Sequence, residues 1–309
     1  MAKTKKIIQF RYYTMPVGDY ILAELGDGWI REYGLGYGDM QHFHNYMEVG
    51  YCYDGHGKIL VEDQEYRYQA GTFTIIPENI PHTTISDPGN KCKWEFLFID
   101  IDEFVSNEME KSRLSAEELV RKVNEQVFIE NDDGRKNLAQ FIHMIIEECR
   151  QKKPFYKDVL KGLLYSFIVE IIRMNGEEIT FDRHQSSRYI STAMNYVKEH
   201  FFEDIKISKI ATICGLSESH FRKIFEDAMN MKPNDYINFV RIMEACKIIR
   251  KEDISMEELG IRVGYMTPST FSRNFKKITG KTPYQWKTEE RTKNSFMTDA
   301  NITAEKGWT

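Results

Sequence analysis

Four side chains set the first chemical question in this sequence. His42 and His44 are separated by one residue, Glu48 follows on the same parity, and His82 lies further along. Alternate residues of a strand point to one side, so His42, His44 and Glu48 share a face if the segment is extended. Three imidazoles and a carboxylate make a donor set for Fe, Mn, Ni or Zn. Such groups also line a polar pocket, or satisfy one another, with no ion. Arg31 and Trp94 on neighbouring strand-like runs extend the inward set of His42, His44, Glu48 and His82. Imidazoles, a carboxylate, a guanidinium and an aromatic face suit a small polar effector such as a sugar, whose hydroxyls can be bonded and whose ring can stack. The pocket is the main reading, with no metal or other cofactor assigned; the four-donor metal site is the alternative.

A second chemistry lies between Ile205 and Lys287, where one pattern occurs twice. Ala211 aligns with Gly260, Gly215 with Gly264, Phe221 with Phe271, Phe225 with Phe275, Pro233 with Pro283 and Tyr236 with Trp286. The offset grows by one after the glycines, so one residue is inserted in the second turn. Each copy reads as a helix-turn-helix: a short helix with a small residue at the crossing, a glycine turn, and a longer helix. Ser217 and Thr267 can cap the longer helices, with Pro268 at the first position of the second. Phe221, Ile224, Phe225 and Ala228, and likewise Phe271, Phe275 and Ile278, recur at helical spacing and turn inward. The outward positions are short hydroxyls followed by cations. Small residues admit the backbone to base edges, arginine pairs bidentately with guanine, and lysine neutralises phosphate. The apolar positions of Asn234 to Arg250 predict one stiff helix joining the copies. That joint would hold two reading helices in successive major grooves, roughly 34 Å apart.

These residues resemble the AraC/XylS family of bacterial transcription regulators. The likeness rests on the I-A-x-x-C-G-L-S run at Ile210 to Ser217, on Phe221, Arg222, Phe225, Arg241 and Ala245, and on the G-Y-x-x-x-S-x-F-S-R-x-F-K-K-x-x-G-x-T-P run from Gly264 to Pro283. It implies that bases are contacted by Ser219, His220, Arg222 and Lys223 in the first copy and by Ser269, Thr270, Ser272 and Arg273 in the second. Upstream, Gly36-x5-His42-x-His44-x3-Glu48-x6-Gly55 resembles the first cupin motif. Gly71-x5-Pro77-x-Asn79-x2-His82 resembles the second, with Asn79 where a glycine is usual and Ser86 where an asparagine is usual.

The expected fold is α+β in two domains. Strand-like runs punctuated by GDG, YDGHG, PENIP and DPGN predict a cupin-like barrel over residues 1–103. Helical stripes, Leu138 to Cys149 and Leu160 to Ile171 among them, predict a hairpin over 104–174; in resembling proteins such a region commonly mediates dimerisation. A linker at 175–188 leads to an all-α double helix-turn-helix domain at 189–288, opened by a helix from Tyr189 to Phe202, and a polar tail follows at 289–309. The net charge of −5 divides along the chain: residues 186–288 carry 17 Lys+Arg against 12 Asp+Glu, whereas residues 1–185 carry 22 against 31. The cationic excess coincides with the repeat, as DNA binding requires, and is small enough that specific contacts and dimerisation must supplement it.

No run reaches the roughly 20 apolar residues of a membrane span, and the N-terminal MAKTKKIIQFRYY lacks a signal peptide's apolar core, so a cytoplasmic location is expected. Five scattered cysteines read as reduced, buried thiols. The resulting expectation is an effector-controlled transcriptional regulator, not an enzyme, with promoter DNA, RNA polymerase, a small effector and a second copy of itself as partners. The alternatives are a cupin metalloenzyme with a helical appendage, and a regulator whose barrel binds a partner protein.

Overall fold

The computed structural model describes residues 9–292, except 14, 17, 35–40, 63, 111, 113, 133, 175–184 and 230, together with 302–303. Gly36 of the first motif, most of the linker and most of the tail lie outside the described residues. Two compact units emerge, one of Arg11–His184 and one of Gln185–Thr309 together with Met1–Phe10.

The first unit is a double sheet of short strands. β1 (Gln9–Tyr12), β4 (His42–His44), β9 (His82–Ser86), β6 (His56–Val61) and β7 (Gln64–Gln69) lie side by side in that order. The facing sheet runs β11 (Phe128–Asn131), β8 (Thr72–Ile76), β5 (Met47–Asp54), β10 (Cys92–Ile99), β2 (Ile21–Glu24), with β3 (Ile30–Arg31) also on β10. β10 is buried on both faces. Trp94, Phe96 and Phe98 alternate into the space between the sheets, whereas Leu97 and Ile99 join a core shared with the helices.

The helices are α1 (Ile101–Glu108), α2 (Ala116–Val123), α3 (Lys136–Gln151) and α4 (Tyr156–Met174). Ser115 and Glu118 close α2 with a reciprocal capping box, which fixes where that helix starts. The predicted stripes of α3 and α4 are buried against the sheet: Leu138, Ile142, Ile145, Ile146, Leu164, Phe167, Ile168 and Ile171 pack with Val49, Phe73, Ile75 and Leu97. The hairpin is therefore part of the barrel's own core. The helical region expected over 104–174 is interrupted, because Phe128–Asn131 pairs antiparallel with β8. That β-favouring VFIE run completes a sheet edge, a non-local gain that outweighs local helical spacing.

The second unit is all helix. α5 (Gln185–His200) starts within the expected linker, four residues before Tyr189. α6 (Ile207–Ile213) and α7 (Glu218–Met229) form one helix-turn-helix, and α9 (Met256–Arg262) and α10 (Pro268–Thr279) the other. α8 (Pro233–Lys251) lies between them and touches both α7 and α10, and α11 (Pro283–Thr292) follows.

The duplication extends to the packing. Phe221 meets Phe225 at 5.5 Å and Phe225 meets Tyr236 at 5.6 Å, matched by Phe271 with Phe275 at 5.6 Å and Phe275 with Trp286 at 6.1 Å. At the second crossing a Cβ on Gly260 would stand 3.2 Å from the Phe271 ring, which explains the small residue there. Arg241 of α8 donates to the carbonyls of Phe201 at 2.7 Å and Glu203 at 2.6 Å, tying the end of α5 to the connector. All five cysteines are buried and unpaired with one another, and among the described residues no helix is long and apolar enough to cross a membrane.

Candidate ligand pocket and nucleic-acid interface

His42 and His82 are register partners on β4 and β9, and Glu48 enters from β5 opposite them. The turn before β9 carries Asn79 at φ 62°, a left-handed conformation that asparagine tolerates better than most residues. This accounts for asparagine where a glycine is usual. The Asn79 amide donates to the His44 carbonyl at 2.9 Å, so the turn holds β4 and β9 together.

The hydrogen bonds fix how the protons are distributed. His44 Nδ1 faces the Tyr46 carbonyl at 2.7 Å and His82 Nδ1 faces the Ile80 carbonyl at 2.8 Å. A carbonyl only accepts, so both Nδ1 atoms carry hydrogen and both Nε2 atoms turn toward Glu48 Oε2, at 3.1 and 3.4 Å. Glu48 Oε2 is thus the common neighbour of both Nε2 atoms. Burial pushes the Glu48 carboxyl up, but the neighbouring His82 and His44 outweigh it, and the net result is well below the usual carboxylate range. Burial, reinforced by His82 and Arg11, holds His42 well below the ordinary imidazole value, and burial also lowers His44.

These four residues form a cluster with the composition and spacing that the four-ligand metal alternative requires. All four donors lie within 4.8 Å of one another. However, Arg11 Nη1 donates to His42 Nε2 at 3.2 Å, which engages the fourth donor and sets a fixed positive charge beside it. No chemistry is routed through an ion here.

A small cavity of about 40 Å³ opens beside this cluster. Its walls include His42, Glu48, His82 and Arg31 from the sequence-predicted set. His44 lies behind them, fully buried against Glu48. Trp94 does not line the cavity. It is fully buried deeper along β10, stacked on Phe96 at 5.7 Å and edge-on to Tyr68 at 5.0 Å. Parity placed it inward correctly, but two residues too far along the strand. The aromatic walls are instead Trp29, Tyr33, Phe96, Phe98 and Tyr13, and Arg11 and Glu24 add charge. Phe96 and Phe98 were legible as the next inward residues of β10, whereas Arg11, Tyr13 and Glu24 arrive by non-local pairing that no spacing reveals. The Arg31 guanidinium lies 4.3 Å from the Tyr33 ring centre and 5.9 Å from that of Trp29.

In the helical unit, Ser219, His220 and Lys223 are exposed and Arg222 is partly so. Arg222 does not stand free, since its Nε and Nη2 donate to Glu218 Oε1 at 2.9 and 2.7 Å. On α10, Ser269, Ser272 and Arg273 are exposed, and Thr270 is half-buried. Thr267 caps α10, with its Oγ1 accepting from the Thr270 amide at 3.3 Å and donating to the Thr270 hydroxyl at 2.9 Å. Thr270 is thus turned toward the cap.

A double-sheet ligand-type domain followed by a duplicated helix-turn-helix defines a DNA-binding transcriptional regulator with an N-terminal ligand-binding domain. Family models agree: an AraC-like ligand binding domain matches residues 33–166 and a helix-turn-helix domain matches residues 210–289. An uncharacterised HTH-type transcriptional regulator, YfiF of Bacillus subtilis, is 21% identical over 257 residues, covering 80% of this chain and 78% of that one. The Msm operon regulatory protein of Streptococcus mutans is 20% identical over 248 residues, covering 79% and 84%. Among solved structures, apo ToxT of Vibrio cholerae is similar over 88% of this chain and 98% of its own, at 14% identity and a TM-score of 0.41. The chain belongs to the AraC family of transcriptional regulators.

Proposed function

We propose that a small polar effector enters the barrel beside His42, Glu48 and His82, and that its binding changes how two N-terminal units pair and so where the DNA-reading units settle. The observation that carries this is the wall itself: guanidinium groups, imidazoles and a carboxylate beside stacked aromatic faces, grouped in one cavity. A sugar-like effector matches that chemistry. The present cavity is far smaller than the roughly 300 Å³ of an ordinary ligand pocket, so a hexose requires Trp29 and Arg31, both partly exposed, to move outward. Trp94 supports the wall from behind and makes no ligand contact in this reading.

The DNA contacts are assigned to Ser219, His220, Arg222, Lys223, Ser269, Ser272 and Arg273, with Thr270 in a supporting position. α8 spaces the two reading helices for successive major grooves. Pairing of two copies uses the outer faces of α3 and α4, where Met144, Val159 and Tyr165 are exposed, because the inner stripes are already buried. The protein acts in the cytoplasm with RNA polymerase and turns over no substrate.

Thermal denaturation of the full chain against sugars and small polar acids tests the effector reading. A true ligand raises the melting temperature further with each increase in its concentration above Kd, as the logarithm of that concentration, and Arg31→Ala abolishes the rise. The small cavity also favours a second reading, in which the barrel takes no small molecule and serves as an interaction module. No shift with any compound, together with capture of a partner by the barrel, would select it.

A further inference from the structure

The two helix-turn-helix units are superposable by their hydrogen bonds, and this identifies the inserted residue. In the first turn, Gly215 N donates to Thr212 O at 3.0 Å and Leu216 N to Ala211 O at 2.9 Å. In the second, Gly264 N donates to Ile261 O at 2.9 Å and Tyr265 N to Gly260 O at 2.8 Å. The glycines match as well, at φ 69° and 86°. The reading helices then start equivalently, with Phe221 N donating to Ser217 O at 2.9 Å and Phe271 N to Thr267 O at 3.2 Å. Between these matched anchors Leu216 is followed directly by Ser217, whereas Met266 stands between Tyr265 and Thr267. The extra residue is Met266.

The residue is 94% exposed, and it directly precedes the cap of α10. A long thioether in water at that place gains nothing from the fold. The first turn has no counterpart, since Leu216 is half-buried and Ser217 is polar. The N-terminal end of a reading helix is the part that meets base edges in the major groove. The apolar feature there is the C5-methyl group of thymine. Methionine, unbranched and polarisable, can lie along such a methyl without a fixed rotamer.

We infer that Met266 is a specificity-determining residue, packing against a thymine methyl group at the edge of the base step read by α10. This rests on the DNA-binding function of the second unit and adds a contact that the first unit cannot make. The bound sequence is then asymmetric: the half read by α10 carries a thymine preference with no equivalent in the half read by α7.

The test uses the full chain. Duplexes bound by the wild type are selected from a random pool, and each thymine in the α10 half is replaced singly by deoxyuridine, which removes only the methyl group. The expected result is one position where the replacement weakens wild-type binding roughly three- to tenfold, the effect of burying about one methyl group. Met266→Ala should bind the thymine duplex weaker by a similar factor and be indifferent to uracil at that position. Met266→Leu should retain part of the preference. The inference is overturned if Met266→Ala binds with unchanged affinity and preference, or if it loses equally on thymine and uracil duplexes. It is also overturned if the variant loses only transcription while duplex binding is intact, which would make Met266 a polymerase contact. If the wild type selects no sequence at all, the DNA-reading assignment of the unit fails before Met266 is reached.

Discussion

Arg150 Nη2 of α3 donates to Glu95 Oε2 of β10 at 2.6 Å, and the Glu95 side chain is 1% exposed. The other oxygen, Oε1, accepts from the Gly26 amide at 3.0 Å, just ahead of the turn that carries Trp29. Glu95 thus sits between the helical hairpin and a wall of the cavity, with Phe96 as its neighbour on the opposite face of the strand. Burial pushes the Glu95 carboxyl up, but Arg150 and Gly26 outweigh it, and the group is held ionised.

Removing Arg150 leaves that carboxylate buried with a single strong donor lost. Arg150→Met should destabilise the N-terminal unit by about 1–3 kcal/mol, less than a fully buried pair because the Arg150 side chain is 40% exposed. It should also weaken the link between effector binding and operator choice. Urea unfolding gives the first quantity, and DNA titrations with and without effector give the second. Unchanged behaviour in both would remove this pair from the coupling path.

The imidazole cluster predicts an acid-sensitive barrel. His42 and His44 are depressed below 6.5, so the unfolded chain takes up protons there before the folded one does, and stability is lost as pH falls from about 6.5. Glu48 is depressed below 4.5, so its contribution is present above that value and is lost below it. Melting temperature should therefore fall in two stages as pH is taken from 7 to well below 4.5, the lower stage disappearing in Glu48→Gln. A flat profile between pH 7 and 5 would contradict the burial that holds His42 and His44 below the ordinary imidazole value.

Two turn glycines should differ in their tolerance. A Cβ at Gly264 would lie 2.7 Å from the Phe201 carbonyl oxygen and 3.0 Å from Arg241 Nε, whereas Gly215 faces open space. Both have positive φ. Gly215→Ala should cost roughly 1–2 kcal/mol, from conformation alone, and Gly264→Ala roughly 2–4 kcal/mol, because the clash adds to it. Equal losses in denaturant melts would mean that the Arg241 anchor is looser than described.

On DNA, Arg273→Ala should cost ~1–3 kcal/mol and relax the preference at one base pair. Arg222 begins from a different state, since Glu218 already holds its guanidinium. Glu218→Gln removes a negative charge near the phosphates and frees that guanidinium, at little cost because surface pairs contribute little. Binding should tighten roughly two- to fivefold at low salt. Fluorescence anisotropy across a salt series measures both, and weaker binding by Glu218→Gln would show the pair to be preorganising.

What was legible in the sequence was what is local. Each helix-turn-helix closes within a few dozen residues, so Phe221, Phe225, Phe271 and Phe275 declare their faces by spacing, and Ser217, Thr267 and Pro268 mark the starts. His42, His44 and Glu48 could be aligned by parity along one stretch, and His82 added from its motif. Across strands the pattern gave little. Arg11 reaches His42, Glu24 reaches the cavity and Phe128 reaches β8 through pairings set by the whole barrel. Likewise, the stripes on α3 and α4 announced burial but not against what. A sheet of the same chain covers them, which leaves any partner copy the outer surface.

Two matched helices on one connector should read neighbouring turns of a duplex. Selection of bound sequences from a random duplex pool by the full chain tests it most directly. The expected result is an enriched site with two conserved blocks per copy of the chain, centred about one helical turn (roughly 10 base pairs) apart, whose α7 block blurs in Arg222→Ala and whose α10 block blurs in Arg273→Ala. Enrichment of a single block, or binding that is uniform over sequence and governed by salt alone, would contradict it.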